Sequence, residues 1–308
     1  MKNHQLLVRV AYQYYIQNKT QSEIAKSLDL GRSTISRILT QAKRENIVNI
    51  QINGLDLDLM DLENKIKNYY QLRNVIIVPT TSSDKSSALA LEAALYLKQI
   101  IKPNNRVGVA WGSTLAKMVG QLHHPKSTNA TFIPLVGGPS AANAKYNVNT
   151  IVYDLAKKFV GSSEFINATA VQETAALRNG IIGSKYFREL TNDWQHLDIA
   201  LVGVGGPLTT KTTSHWRDLL THDDLVLLKD QHAIGDCCCT FFDKNGKTLA
   251  PSLQKRTIAI SLETLSKVPI SVAVAHSLVK VPSIKALLSM GIVNTLITDK
   301  ETASHLLD

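Results

Sequence analysis

The sequence has few cysteines, and their placement excludes two kinds of site. Three of the 308 residues are cysteine, and they are adjacent at positions 237–239. Adjacent cysteines lack the separation of a structural disulfide or of the paired ligands of a zinc site. His232 and Asp236 lie nearby and keep a metal site open as an alternative. We favour a reduced, half-buried strand beginning after Asp236, and we expect no metal and no cofactor.

Long apolar runs are also missing. No run reaches the roughly 20 residues of a membrane-spanning helix. The first residues, MKNHQLLVRV, lack the apolar segment of a secretion signal. These absences predict a cytoplasmic protein with no membrane partner. The 308 residues are 44% hydrophobic and 19% charged, which is enough for a substantial core and for more than one average domain. We therefore expect one small and one large domain.

Residues 20–38, TQSEIAKSLDLGRSTISRI, have the spacing of a helix-turn-helix. Thr20 and Glu23 form a capping box, which predicts a helix that begins directly after Thr20. Ala25 is small where two helices must approach, and isoleucines follow it ten and thirteen residues later, as a shared core requires. Asp29 occupies a turn position where many such motifs place glycine, which counts weakly against the motif.

The second helix of this motif has a polar face suited to DNA. Arginine can bind guanine O6 and N7 together, and hydroxyls with helix N-terminal amides can hold phosphates. The alternative is an ordinary amphipathic hairpin with a solvated face. Charge favours DNA, because residues 1–54 hold eight Lys or Arg against three Asp or Glu, a net +5 of the chain's +9. The predicted DNA-binding residues are Arg32, Ser33, Thr34, Ser36, Arg37, Lys43 and Arg44.

Two further segments follow the recognition helix. Residues 46–52, NIVNIQI, alternate apolar and polar side chains, which predicts a strand and hence a winged variant. Residues 55–72 become helical, with apolar side chains three and four positions apart. This helix can pack on its own large domain or on a second copy, and we expect it to contribute to self-association. The predicted domains are 1–54 for the helix-turn-helix, 55–72 for a connecting helix and 73–308 for the large domain.

The large domain alternates Val- and Ile-rich runs, such as RVGVAWG and LDIALVGVGG, with helical stretches. This pattern predicts an α/β fold with a doubly wound, mostly parallel sheet, whose ligands bind beyond the carboxyl ends of the strands. Glycine loops follow three strands, at 112–114, 136–140 and 203–207. One such loop is more often a plain turn, but three on one rim favour a ligand site. The first adds two hydroxyls and a helix N-terminus, which suit a phosphate.

The whole chain resembles SorC-family transcriptional regulators, a sugar-responsive bacterial type. The motifs that carry the resemblance are SEIAKSLDLGRSTISRIL, VGVAWGST, PLVGG, DIALVGVG, HAIGD, FFDKNG, RTIAISLETL, VAVA, VKVPSIKALLSMGIVNTLITD and ETASHLL. The resemblance implies an effector domain related in fold to ribose-phosphate isomerase and glucosamine-phosphate deaminase. It also implies a homo-oligomer, dimer or tetramer, in which a phosphorylated sugar changes the affinity for operator DNA. It does not imply catalysis.

The same resemblance assigns candidate effector-binding residues. Asp236 can accept from sugar hydroxyls, and Lys280 can pair with a phosphate or a hydroxyl. As alternatives, Asp236 only caps a turn and Lys280 is only solvated. The assigned residues are Gly112, Ser113 and Thr114 in the phosphate loop, Gly137 and Gly138 in a second loop, and Asp236 and Lys280.

Several positions depart from relatives or stay open. His276 and Ser277 stand where relatives often have two glycines, which predicts an altered pocket. Val136 replaces the lysine with which a deoxyribose-phosphate-responsive branch forms a Schiff base, so a covalent imine is excluded there. Trp111 either stacks on a sugar or fills the core. Proximity alone suggests that Lys145 and Asn149 replace some ligand contacts.

The sequence thus favours a DNA-binding regulator, a repressor of a carbohydrate-utilisation operon under the control of a phosphorylated sugar. A second class is a sugar-phosphate isomerase or aldolase with a fused DNA-binding segment. It would use Asp236 or His276 as a base and Lys280 as an electrostatic aid. A third class, an architectural DNA-binding protein without an effector, conflicts with the glycine-rimmed domain.

Overall fold

The structure is a computed structural model that describes residues 2–49, 57–79, 85–139, 144–208 and 219–308. The chain divides into two compact units, residues 1–56 and 57–308. The helices are α1 (Lys2–Tyr15), α2 (Gln21–Leu28), α3 (Arg32–Arg44), α4 (Leu57–Tyr69), α5 (Lys85–Ile100), α6 (Ser113–Gly120), α7 (Val148–Phe159), α8 (Ala175–Ile182), α9 (Lys185–Trp194), α10 (His222–Asp230), α11 (Pro251–Gln254), α12 (Leu262–Ser266), α13 (Val281–Ser289) and α14 (Lys300–Ser304). The strands are β1 (Asn74–Val78), β2 (Arg106–Val109), β3 (Thr131–Pro134), β4 (Ser162–Ser163), β5 (Ile199–Val202), β6 (Gly235–Cys237), β7 (Thr240–Phe242), β8 (Ile270–Val274) and β9 (Thr295–Asp299).

The small unit is built from α1, α2 and α3 around one apolar core. The predicted capping box is confirmed, since the Thr20 side chain accepts from the Glu23 amide and the Glu23 side chain accepts from the Thr20 amide. Asp29 adopts the left-handed conformation that the turn requires, with φ 53° and ψ 46°. Ile24 and Ile35 are fully buried, so the two helices share the core that their spacing predicts.

The predicted wing strand is wrong over the residues that the structure describes. Residues 46–49 form a turn after α3, in which Asn46 has φ 56°. Ile47 and Val48 are half-buried against the core of the small unit instead of alternating along a strand. Their amides donate to the Ala42 carbonyl at 2.9 and 3.2 Å, which closes the end of α3. Residues 50–52 of the predicted strand lie outside the described residues.

The large unit confirms the predicted α/β fold. Seven strands form one sheet in the order β1-β9-β8-β5-β2-β3-β4, and each neighbouring pair is parallel. Every residue of β5 and β9 is buried, as strands covered on both faces of a sheet must be. From β2 the chain moves to β3 on one side, and from β5 it moves to β8 on the other. The sheet therefore has a topological switch point between β2 and β5, where ligands bind in open sheets of this class.

The predicted connecting helix is α4, which packs on the large unit. Leu59 and Ile66 are buried in the core of that unit. The Ile77 amide of β1 donates to Glu63 Oε1 at 2.8 Å. Helix α4 is therefore fixed along its length to an edge strand of the sheet. Its predicted role in self-association stays a prediction.

The cysteines lie in a hairpin and not in a single strand that begins after Asp236. Strand β6 begins at Gly235 and pairs with β7 in antiparallel register. Cys238 and Cys239 form the turn, with φ of 50° and 58°. Each of the three cysteines is buried, where half-burial was expected, and burial contributes to raising the thiol pKa of Cys239 well above its ordinary value. Among the described residues, no cluster of three metal-ligating side chains is present and no helix has the length and apolar character to cross a membrane.

The capping box predicts the local stability of α2. Thr20→Ala removes the side-chain acceptor for the Glu23 amide, a loss that costs about 1 kcal/mol at helix caps. We expect the amides of α2 to exchange with solvent roughly fivefold faster, as measured by hydrogen exchange. Thr40→Ala is the matched control, because the Thr40 hydroxyl donates to the Ser36 carbonyl within α3. Equal exchange of α2 in both variants would contradict a role for the cap.

Candidate effector-binding and DNA-binding sites

The loop after β2 forms one side of the switch point. Gly112 is the N-cap of α6 and has φ 137°, a backbone conformation that residues other than glycine rarely adopt. No side chain of the described residues caps this helix start. Ser113 and Thr114 are half-buried in the first turn of α6. The loop therefore offers an anion the arrangement that the sequence predicts, with helix N-terminal amides, two hydroxyls and the positive end of the helix dipole.

The loop after β5 forms the other side and lies against Asp236. The Gly205 amide donates to the Asp236 carbonyl at 2.8 Å. A Cβ atom at Gly205 would overlap the Asp236 carboxylate, so this approach requires glycine. Asp236 is 5% exposed, and its Oδ2 accepts from the Cys239 amide at 3.1 Å. Asp236 thus does cap the hairpin turn, and it also lies against the Gly205 loop beside the switch point.

Lys280 lies beside the same loop. A Cβ at Gly206 would lie 3.2 Å from Lys280 Cγ. Lys280 is half-buried, so it is not the freely solvated lysine of the alternative interpretation. Burial lowers the pKa of its ammonium, and the negative charge of Asp236 partly offsets that effect. The structure therefore brings together two of the predicted site residues that are 44 positions apart in sequence.

Gly137 and Gly138 are occupied by contacts within the protein. The Gly137 amide donates to the Ile258 carbonyl at 2.9 Å, and the Gly138 amide donates to the Ala168 carbonyl at 2.8 Å. A Cβ at Gly137 would lie 2.5 Å from the backbone of Thr169. The close approach that this glycine permits is thus made by the protein's own backbone, and both amides already have acceptors. A ligand role for these two residues stays a prediction.

His276 and Ser277 follow β8 at the same edge of the sheet. His276 Nδ1 lies 3.7 Å from Asp299 Oδ2, at the end of β9. The His276 side chain is 29% exposed, whereas that of Asp299 is 5% exposed. Ser277 has φ 110° and donates its amide to Thr302 Oγ1 at 2.8 Å. The loop next to Lys280 therefore carries the His276 ring and, at Ser277, a backbone conformation that favours glycine.

The three remaining candidate residues, Trp111, Asn149 and Lys145, each lie in a different environment. Trp111 is half-buried against the core. The Asn149 side chain bonds both backbone groups of Ile166, at 2.9 and 3.0 Å, so it positions a loop. Lys145 is exposed in a groove of about 540 Å³ between α6 and α7, which Asp154 also lines. The sequence predicts 203–207 as one of three glycine loops that favour a ligand site, but Gly205 and Gly206 are not among the assigned effector-binding residues.

The polar face of α3 is exposed in the small unit. Ser36 is exposed, and Thr34 is half-buried. Gly31 is the N-cap of α3, and no side-chain cap bond is present at this helix start among the described residues. Lys43 Nζ lies 5.9 Å from the centroid of the Tyr15 ring. A groove of about 530 Å³ beside the start of α2 is lined by Arg32 together with Lys19 and two tyrosines. The exposed cations of α3 are Arg32, Arg37, Lys43 and Arg44.

Comparisons with known proteins match each of the two units to a family model. Residues 57–308 match the Sugar-bind family, "Putative sugar-binding domain", and residues 4–45 match sigma-70 region 4. The sorbitol operon regulator of Klebsiella pneumoniae is 30% identical over 307 residues, covering 98% of this chain and 97% of that protein. The crystal structure of full-length SorC from the same organism has a TM-score of 0.78 at 29% identity, covering 99% of this chain and 98% of that one. A transcriptional regulator from Streptococcus pneumoniae TIGR4 has a TM-score of 0.77 at 44% identity, covering 81% and 97% respectively.

A helix-turn-helix unit joined to an α/β sugar-binding unit defines a class of DNA-binding transcription regulators under the control of a sugar-related effector. The protein belongs to the SorC family of these regulators, as its sequence motifs predict.

The contacts of Gly137 predict that it supports the fold. Gly137→Ala places a methyl group against the Thr169 backbone, and such overpacking costs about 1–3 kcal/mol. We expect a lower Tm by differential scanning calorimetry. Gly203→Ala is the matched control, because a Cβ at Gly203 meets no atom within 4 Å. If the two variants unfold at the same temperature, the close contact at Gly137 is not structural.

Proposed function

We propose that the protein represses a carbohydrate-utilisation operon and that a phosphorylated sugar, bound between the β2 and β5 loops, changes its affinity for the operator. The observation that carries this proposal is the placement of Lys280 and Asp236 beside the Gly205–Gly206 loop. Because β2 and β5 are hydrogen-bonded neighbours, this loop lies next to the start of α6. Donors for a phosphate and an acceptor for sugar hydroxyls are then on neighbouring loops at one edge of the sheet.

Each part of the site has its own task in this proposal. The first turn of α6, with Ser113 and Thr114, holds the phosphate through amides and hydroxyls. Asp236 is acceptor-only when ionised, so it binds the hydroxyls of the sugar. Lys280 adds a positive charge that is partly shielded from bulk water, so it acts more strongly on an anion than an exposed lysine does.

The DNA side of the proposal uses the exposed face of α3. Arg37 and Ser36 read base edges in the major groove, while Lys43 and Arg44 bind phosphates. Two copies of the chain, as a dimer or within a tetramer, then place two recognition helices on an operator with two half-sites. A protein that acts on operon DNA in this way works in the cytoplasm. No catalytic step is part of the proposal.

The first test is thermal stabilisation by a panel of hexose, pentose and hexitol monophosphates, each compared with its unphosphorylated form. We expect one monophosphate to raise the Tm, because a ligand that binds the native state at about 100 times its Kd adds roughly 2.7 kcal/mol. Lys280→Gln should reduce this stabilisation. Lys267→Gln is the matched control, since Lys267 is exposed and paired with Glu263 outside the site.

The pH dependence follows from Lys280. The ammonium binds an anion only while it is protonated, so affinity is full below its pKa and falls as the pH rises through it. Because that pKa lies below 10.5, the affinity for the anion begins to fall at a lower pH than an ordinary lysine would give.

A Lys280→Gln variant that keeps full stabilisation would place the phosphate elsewhere. Turnover of the stabilising monophosphate would favour the isomerase or aldolase alternative.

A second test addresses the recognition helix. Arg37→Ala should weaken binding to an operator fragment selected by the protein from genomic DNA. The expected loss is about 1–3 kcal/mol if Arg37 reads a guanine. Arg188→Ala is the matched control, since it removes an exposed arginine of α9 in the large unit. An unchanged Kd for Arg37→Ala in a fluorescence anisotropy titration would remove this residue from the recognition set.

A further inference from the structure

The short helix α14 is bonded to the loop that carries His276, Ser277 and Lys280. Thr302, fully buried in α14, accepts the Ser277 amide on its Oγ1 at 2.8 Å. Asp299 is the N-cap of α14, where its Oδ1 accepts from the Thr302 amide at 2.7 Å. The other carboxylate oxygen, Oδ2, lies 3.7 Å from His276 Nδ1. Two residues at the start of α14 thus contact two residues of the loop beside the candidate site.

The backbone of that loop is held in a costly conformation. Ser277 has φ 110° and ψ 132°, which is a glycine region of the backbone map. Non-glycine residues in such regions cost of order 1–3 kcal/mol and persist where the surroundings fix them. Here the Ser277 amide bonds Thr302, and the Ser277 carbonyl accepts from the Lys280 amide at 2.9 Å. A change at Lys280 therefore reaches Thr302 through a single strained residue.

The segment after α14 is bonded to α4. The Tyr70 hydroxyl, at the end of α4, donates to the Leu306 carbonyl at 2.7 Å. Burial, and to a smaller extent Tyr69, raises the pKa of Tyr70 to about 12, so its hydroxyl stays a donor at neutral pH. Lys285 of α13 also donates to the Asp308 carbonyl at 2.6 Å. The first helix of the large unit, which directly follows residues 1–56 in the chain, is therefore tied to the same segment as the ligand loop.

We propose that α14 and the residues up to Asp308 couple the effector site to α4, with Thr302 and Tyr70 as the positioning residues at the two ends. The proposal rests on the proposed function, since it states how effector binding reaches the DNA-binding unit. An effector that changes the loop at Ser277 shifts Thr302, and Tyr70 passes this shift to α4. Coupling is a free energy shared by two sites, so removal of one link lowers it without removing either site.

The main test compares Tyr70→Phe with wild type. Kd for the selected operator fragment is measured with and without the monophosphate that gives the largest Tm increase in the panel. For wild type we expect a change of about 5- to 150-fold, the usual range of allosteric coupling. Tyr70→Phe should reduce this factor at least threefold, while the Kd for the monophosphate alone changes less than twofold. Full coupling in Tyr70→Phe would overturn the proposal.

The neighbouring tyrosine provides the matched control. Tyr69 is 68% exposed, and its hydroxyl has no hydrogen bond to the described part of the chain. Tyr69→Phe removes the same atom one position away, so it should keep the wild-type coupling factor. Loss of coupling in both variants would assign the effect to the surface of α4 and would overturn the link through Leu306.

A second measurement needs no effector and separates this proposal from the proposed function. Thr302→Val removes the acceptor of the Ser277 amide, and we expect hydrogen exchange of α4 amides to become at least threefold faster. Ser283→Ala is the control, since it removes another buried hydroxyl, which donates to the Ile234 carbonyl at 2.6 Å. Unchanged exchange of α4 in Thr302→Val would overturn the link. A third outcome is faster exchange of α4 in Thr302→Val together with a wild type whose operator affinity does not change with any monophosphate. That outcome would support the link and contradict the proposed function.

Discussion

The arrangement of the candidate site depends on close backbone contact at two glycines. A Cβ at Gly235 would lie 2.5 Å from the Gly205 carbonyl and would overlap Ser283 of α13. A Cβ at Gly205 would overlap Asp236. The loop after β5, the strand β6 and the helix that follows Lys280 therefore meet at one point where only hydrogen atoms fit. This contact fixes Asp236 relative to α13, the helix that directly follows Lys280.

In the proposed site, partial burial of Lys280 beside Asp236 is the feature that favours an anionic ligand. Removing Lys280 from water disfavours its charged form, and the nearby Asp236 carboxylate compensates in part. A phosphate that arrives beside Lys280 adds a second negative partner and favours the ammonium further. The same desolvation that disfavours the Lys280 ammonium thus strengthens its interaction with a charged ligand in the proposed site. An exposed lysine in high dielectric would provide little of this selectivity.

The sequence predicts most features that depend on local periodicity, with the wing strand after α3 as an exception, and it fails where distant segments meet. The capping box of α2 and the buried strands follow from spacing alone, because each is decided within a few residues. Gly137 resembles a ligand loop in sequence, yet its Cβ position is occupied by Thr169, which only the folded chain brings there. The bond from Tyr70 to Leu306 joins residues 236 positions apart. No local pattern indicates such a pair, so the link between α4 and α14 requires the structure.

The shortness of α14 suits a coupling element. Helices shorter than about 12–15 residues are marginal on their own in water, so a helix of five residues depends on its caps and its packing. The cap is Asp299, whose second carboxylate oxygen faces His276. Buried Ala303 and Leu306 anchor the segment on the core. A ligand that changes the position of His276 therefore acts on the residue that caps α14. Because one end of this segment responds to the site and the other holds Tyr70, a small local change can be passed to α4 without rearrangement of the sheet.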